Sequence, residues 1–180
     1  SLSPGPSVIG TLRRRLRHRR YENAGVRPRN VPSSTVSIYR SVGMNVSHGS
    51  CLCGDVRFTV RWPSEWVAHC HCSMCQRAHG AAYVTWFGMK NTGVRIEDAA
   101  GSLRWYASSP GAERGFCSRC GSSLFFRSER WPGELHIALA NLKGDADRAP
   151  MAHVFWETHR GWAAVDPNDG LPRKAAVNSD

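Results

Sequence analysis

The chain of 180 residues carries 24 Lys and Arg against 14 Asp and Glu, a formal net charge of +10, with 41% hydrophobic residues and seven tryptophans. That length allows one domain with a real core rather than two, and the apolar and aromatic content excludes a wholly disordered chain. No stretch approaches the roughly 20 consecutive apolar residues of a membrane-spanning helix, and no apolar run follows the N-terminal arginines as in a secretory signal, so a cytoplasmic protein with no membrane partner is expected.

The charge is unevenly spread. Residues 1–43 hold nine Arg and one acid, Glu22, whereas residues 44–180 hold fifteen Lys and Arg against thirteen acids. A nucleic-acid partner is therefore not expected for the folded body, because phosphate affinity follows clustered charge. The 1–43 segment is rich in Ser, Pro and Gly, lacks Cys and shows no sustained periodicity. It reads as a basic tail with four open explanations: a disordered arm, an organelle-targeting peptide, a non-native leader, or sequence upstream of a start at Met44. No chemistry is assigned to it.

Residues 44–175 read as the folded domain and 176–180 as a short C-terminal tail. Asp55–Trp62 alternates as a half-buried strand does, and Ala81–Met89 is a longer apolar, aromatic strand. Ser102–Ala107, Ser122–Arg127, Glu134–Ala140 and Ala152–Glu157 follow, separated by turn-forming sequences such as Asn91-Thr92-Gly93 and Trp131-Pro132-Gly133. Many short strands without a βαβ unit or a long helical period predict an all-β domain of packed or bent sheets.

All seven cysteines fall in three clusters: Cys51/Cys53, Cys70/Cys72/Cys75 and Cys117/Cys120. Tight spacing of soft ligands suits zinc, which takes four in a tetrahedron. Disulfides fit poorly: the count is odd, partners one residue apart have poor geometry, and cytosolic thiols stay reduced. Seven divides into four and three, giving two zinc ions per chain. Cys51, Cys53, Cys117 and Cys120 close a structural site, with Gly54 and Gly121 expected at tight turns. Cys70, Cys72 and Cys75 leave a fourth position open, as catalytic zinc sites do. Three thiolates over-neutralise the ion and suit an incoming thiolate better than a hydrolytic water. His69 or His79 as the fourth ligand stays open, whereas His71, between two ligands, is expected to point away from them.

These motifs resemble the glutathione-dependent formaldehyde-activating enzyme family, which includes centromere protein V. The resemblance rests on Gly49–Phe58 around Cys51-Leu52-Cys53-Gly54, on Cys70–Arg77, and on Tyr106–Gly121. It extends through Ser123-Leu124-Phe125 to His153, Trp162 and Gly170-Leu171-Pro172, spanning about residues 48–173. It implies a bent all-β domain of antiparallel sheets, a β-tent, with the same structural and catalytic division of the cysteines. It further implies a carbon–sulfur lyase that adds glutathione to formaldehyde, giving S-hydroxymethylglutathione. Fold and site do not fix the substrate, so the expectation is a thiol adduct of a small aldehyde, glutathione being the first thiol. Arg77, Arg104, Arg114 and Arg119 are candidates to hold an anionic thiol, and Trp86, Phe87, Trp105 and Tyr106 to line a pocket. The competing expectation is a non-catalytic zinc module that binds protein or chromatin.

Overall fold

The computed structural model describes residues 45–176. The expected basic tail and residues 177–180 of the expected C-terminal tail lie outside them.

Two sheets form the domain. The smaller is antiparallel, in the order β1 (Val46–Ser50), β2 (Arg57–Arg61), β5 (Val94–Glu97). The larger contains β3 (Trp66–Cys70), β4 (Val84–Lys90), β6 (Leu103–Ser109), β7 (Ala112–Cys117), β8 (Ser123–Ser128), β9 (Glu134–Ala138), β10 (His153–Val154) and β11 (Arg173–Lys174). Its spatial order is β11-β10-β3-β4-β9-β8-β7-β6. The antiparallel expectation holds except at one edge, where the two-residue β10 pairs parallel with both β3 and β11.

Alternation explains how the sheets meet. In β2 the arginines Arg57 and Arg61 face water while Phe58 and Val60 are buried, the period-2 pattern of a half-buried strand. Val56, Phe58 and Val60 pack onto Val67, Phe87, Met89, Leu124, Phe125, Leu135 and Ile137 of the larger sheet, with Phe58 edge-on to Phe125 at 5.5 Å. Neighbours in sequence normally face opposite sides of a strand, yet Leu124 and Phe125 both reach this core. A bulge is the cause: pairing passes from Gly115↔Phe125 to Phe116↔Ser123, so Leu124 is the extra residue.

Strand β4 is buried on both faces, as an apolar central strand should be. Phe87 and Met89 join the core above, while Val84 and Trp86 join a second cluster with Cys70, Cys75, Ala138, Ala152 and Val154. Gly88 sits where Trp66 crosses the strand; a β-carbon there would enter the indole ring. That second face carries the site.

One helix, α1 (Ser73–His79), interrupts the β pattern directly after β3. Seven residues are too few to impose a readable 3.6-residue period. Its ends are nevertheless encoded: the Cys72 sulfur accepts the Cys75 amide, and Gly80 at φ 59° closes it with its N–H to Gln76 C=O.

Candidate functional site

The first cysteine group is assembled from two turns. Cys51-Leu52-Cys53 leaves β1 and closes through Gly54 at φ 83°, whose amide bonds Cys51 C=O. Cys117 ends β7 and the chain turns through Gly121 at φ 76°, its amide on Cys117 C=O at 2.8 Å. Both glycines thus occupy the left-handed backbone expected of them. The two turns are clamped together, Leu52 N–H donating to Ser122 Oγ and Arg119 to Asp55 at 2.8 Å. Arg119 holds the Asp55 carboxyl below the usual range. The four sulfurs lie within 4.8 Å of one another, with Cys51–Cys53 at 3.5 Å and Cys53–Cys117 at 3.8 Å. Four sulfurs around an ion at about 2.3 Å stand about 3.8 Å apart, so this donor set fits a tetrahedral soft-metal site.

The second group is made by the β3–α1 junction. Cys70 ends β3, Cys72 caps α1 and Cys75 lies in its first turn. Their sulfurs also lie within 4.8 Å of one another, with Cys70–Cys75 at 3.6 Å. No histidine nitrogen joins either sulfur group among the described residues. Crowding splits the thiols: Cys72 is pulled down as the acceptor of hydrogen bonds from Cys70 and Cys75, and Cys70 is pushed up. The Arg114 guanidinium, lying 5.0 Å over the Phe126 ring, places both terminal nitrogens 3.7 Å from Cys75 Sγ.

A cleft of about 910 Å³ opens on this group and is lined by Cys70, Cys72 and Cys75, but by none of the other four cysteines. The two groups therefore differ in access. One lies between the small sheet and the β7–β8 hairpin, while the other forms one end of a cavity of substrate size.

Behind the triple, polar contacts fix its loop. His71, as expected, turns away from the sulfurs: its Nε2 is 2.8 Å from His153 Nδ1, and His153 Nε2 is 2.9 Å from Asp169. Both rings are almost fully buried, and burial lowers His71 to about 4, with His153 adding to the effect. Buried Gln76 donates to the carbonyls of His71 and Thr158 and accepts from Arg160. His69 bonds Thr85 Oγ1 at 2.8 Å, and His79 stands edge-on to Trp86. Burial lowers His79 to about 4 as well.

The other candidates separate cleanly. Arg114 and Trp86 line the cleft. Phe87 does not, because it points to the opposite face of β4 and is buried in the core. Trp105 stacks on Phe125 and carries Arg127 on its ring, and Tyr106 is 64% exposed. Arg104 bonds backbone carbonyls of Gly101 and Leu103, Arg119 belongs to the four-cysteine end, and Arg77 is exposed on α1. Several functional-looking residues carried no motif. Trp66, Phe126 and His136 line the cleft because strand register sets Trp66, Gly88, His136, Phe126 and Arg114 in one row across four pairings, and Trp131 joins them from the turn between β8 and β9. His136 Nε2 is buried without a hydrogen bond, 3.3 Å from a Glu134 carboxylate oxygen, and burial lowers this histidine to about 4. The signal for this row was alternation, which becomes readable only once the strands are paired.

Known proteins resemble this chain along the same segment. The profile of the glutathione-dependent formaldehyde-activating enzyme family matches residues 46–158. A Halomonas elongata protein provisionally named a glutathione-dependent formaldehyde-activating enzyme is 32% identical over 129 residues, covering 67% of this chain and 82% of that protein. An uncharacterized lyase of Schizosaccharomyces pombe is 30% identical over 78 residues, 43% of this chain and 55% of that protein. A crystal structure of a Rhodobacter sphaeroides protein superimposes with a TM-score of 0.48 at 23% identity, over 70% of this chain and 98% of the other. Among the described residues, no helix is long and apolar enough to cross a membrane.

Proposed function

Because the chain belongs to the glutathione-dependent formaldehyde-activating enzyme family, we propose that it is a zinc-dependent carbon–sulfur lyase. It joins a thiol to a small aldehyde and reverses that addition. The observation that carries this reading is the difference in access: the three-sulfur group lines the cleft and the four-sulfur group does not. Cys51, Cys53, Cys117 and Cys120 would hold a structural zinc, and Cys70, Cys72 and Cys75 a catalytic one. When bound there, zinc supplies an open soft-acid position that keeps an incoming thiol deprotonated near neutral pH.

The chain's own residues do the rest. Arg114, 3.7 Å from Cys75 Sγ, sets a fixed positive charge against the excess negative charge of the sulfurs. The same guanidinium faces the cleft and can meet the oxyanion that develops as sulfur adds to a carbonyl. Trp86 and Phe126 keep water from this end. The His71–His153–Asp169 chain and Gln76 hold the cysteine loop in place from behind. Glutathione and formaldehyde are the first substrates to try, as the family's name directs.

The test uses zinc-loaded protein, glutathione and formaldehyde, following S-hydroxymethylglutathione by proton NMR. Acceleration that disappears in Cys72→Ser, with that variant still folded, is expected. Acceleration retained in Cys72→Ser would place the chemistry elsewhere. No acceleration of any thiol–aldehyde addition would favour the binding module.

A further inference from the structure

The walls of the cleft do not complement a one-carbon aldehyde. Its floor and sides are aromatic, from Trp66, Trp86, Phe126, Trp131 and Phe155, and its lip carries Met74 and Met151. Those two methionines are 42% and 53% exposed, so the apolar lining continues out to solvent. Formaldehyde has no carbon beyond its carbonyl with which to cover such a surface. Glutathione, a charged and polar tripeptide, leaves most of it uncovered too.

Polar groups are the smaller part of the lining surface, and three of them, Glu134, Arg114 and Arg130, already meet aromatic side chains, while His136 Nε2 is buried without a hydrogen bond. Glu134 accepts from the Trp66 indole at 3.2 Å. Arg114 lies over Phe126 and Arg130 over Trp131, at 5.0 and 5.2 Å. Much of the remaining lining is aromatic ring and thioether, from Trp66, Trp86, Phe155, Met74 and Met151, surfaces that gain affinity by covering apolar groups.

Phe155 adds an independent sign. It is the one non-glycine residue with positive φ among the described residues, at 56°. A bulky side chain there is strained, and such outliers persist where the surroundings fix them for use. The residue before it, Val154, pairs with Cys70. The strained turn therefore delivers an aromatic ring to the cleft wall beside the cysteine triple.

From this lining we infer that the aldehyde handled by this chain carries an aromatic group, the cleft floor holding the ring while the carbonyl faces the cysteine triple. The inference rests on the carbon–sulfur reading above and narrows its substrate. The step remains the same addition. The thiol sulfur forms a bond to the carbonyl carbon, the C=O π bond opens, and the thiol's proton ends on the oxygen, giving a hemithioacetal without any oxidant. The reverse step returns thiol and aromatic aldehyde.

The experiment compares benzaldehyde with formaldehyde, glutathione being the thiol in both. Magnetisation transfer between the free thiol and hemithioacetal signals gives each rate over its uncatalysed background. The expected acceleration is about 10- to 200-fold greater for benzaldehyde, the range that a single hydrophobic contact difference commands. Trp131→Ala should lower that ratio at least tenfold, and Trp131→Phe should restore most of it. In a second readout independent of turnover, benzyl alcohol should shift the tryptophan fluorescence saturably and methanol should not. Acceleration of formaldehyde alone, or a ratio unmoved by Trp131→Ala, overturns the aromatic substrate and leaves the carbon–sulfur reading standing. Acceleration of neither overturns both.

Discussion

Replacing Cys117 by serine should do far more damage than removing one buried thiol. Cys117 is fully buried at the end of β7, with its sulfur 3.8 Å from that of Cys53, and the group it completes joins the small sheet to the large one. A structural zinc contributes on the order of 10–16 kcal/mol to folding, as much as the roughly 5–15 kcal/mol net stability of a whole domain. Opening the site by one ligand therefore leaves little or no folded protein. Were the four cysteines merely packed thiols, serine would leave a buried hydroxyl poorly satisfied at about 1–3 kcal/mol. At roughly 4 °C per kcal/mol for a domain of this size, that is a melting shift of about 4–12 °C. The assay is soluble yield, thermal unfolding by circular dichroism and zinc per chain. A soluble Cys117→Ser that melts within about 12 °C of the parent and keeps its zinc would refute the staple.

Three further outcomes follow from the geometry. Arg114→Leu should cut thiol–aldehyde turnover by about 10²–10³, the cost of removing one oxyanion donor, with little change in melting temperature; steady-state kinetics beside a melt separates the two. Since burial lowers His136 from 6.5 to about 4 in the folded chain, the unfolded chain alone takes up this proton as pH falls from about 6.5 to 4. Stability is thus full above pH 6.5 and declines across that window, by about 3 kcal/mol for this residue; urea midpoints of the parent and His136→Phe at pH 7 and 4.5 should converge or cross as the acid penalty is removed. Gly88→Ala would drive a methyl into the Trp66 indole and should cost about 1–3 kcal/mol, measured by urea unfolding.

What could be read in the sequence depended on how local its cause was. The grouping of the cysteines was legible because sulfurs one to three residues apart are brought together by any tight turn, and Gly54 and Gly121 because a turn beside them needs positive φ. The strand at residues 55–62 was legible because β2 is wet on one face and dry on the other. The 152–157 expectation shrank to His153–Val154, because Phe155 turns into left-handed backbone where alternation predicts extension. Helix α1 stayed invisible behind the cysteine spacing that it serves. Phe87 and Trp86 are neighbours of similar character, yet one is core and the other cleft wall. Only the pairing of β4 with β3 and β9 decides which is which. Likewise His71, His153 and Asp169 meet across 82 and 16 residues of chain, a contact no local pattern records.

In the proposed function, Cys70, Cys72 and Cys75 present a metal with a position open to a thiol. Loading the protein with cobalt in place of zinc and titrating glutathione tests it directly, through the sulfur-to-metal charge-transfer absorption. The band should intensify saturably in the parent and not in Cys72→Ser. An unchanged spectrum at millimolar thiol, with two cobalt ions still bound per chain, would contradict it.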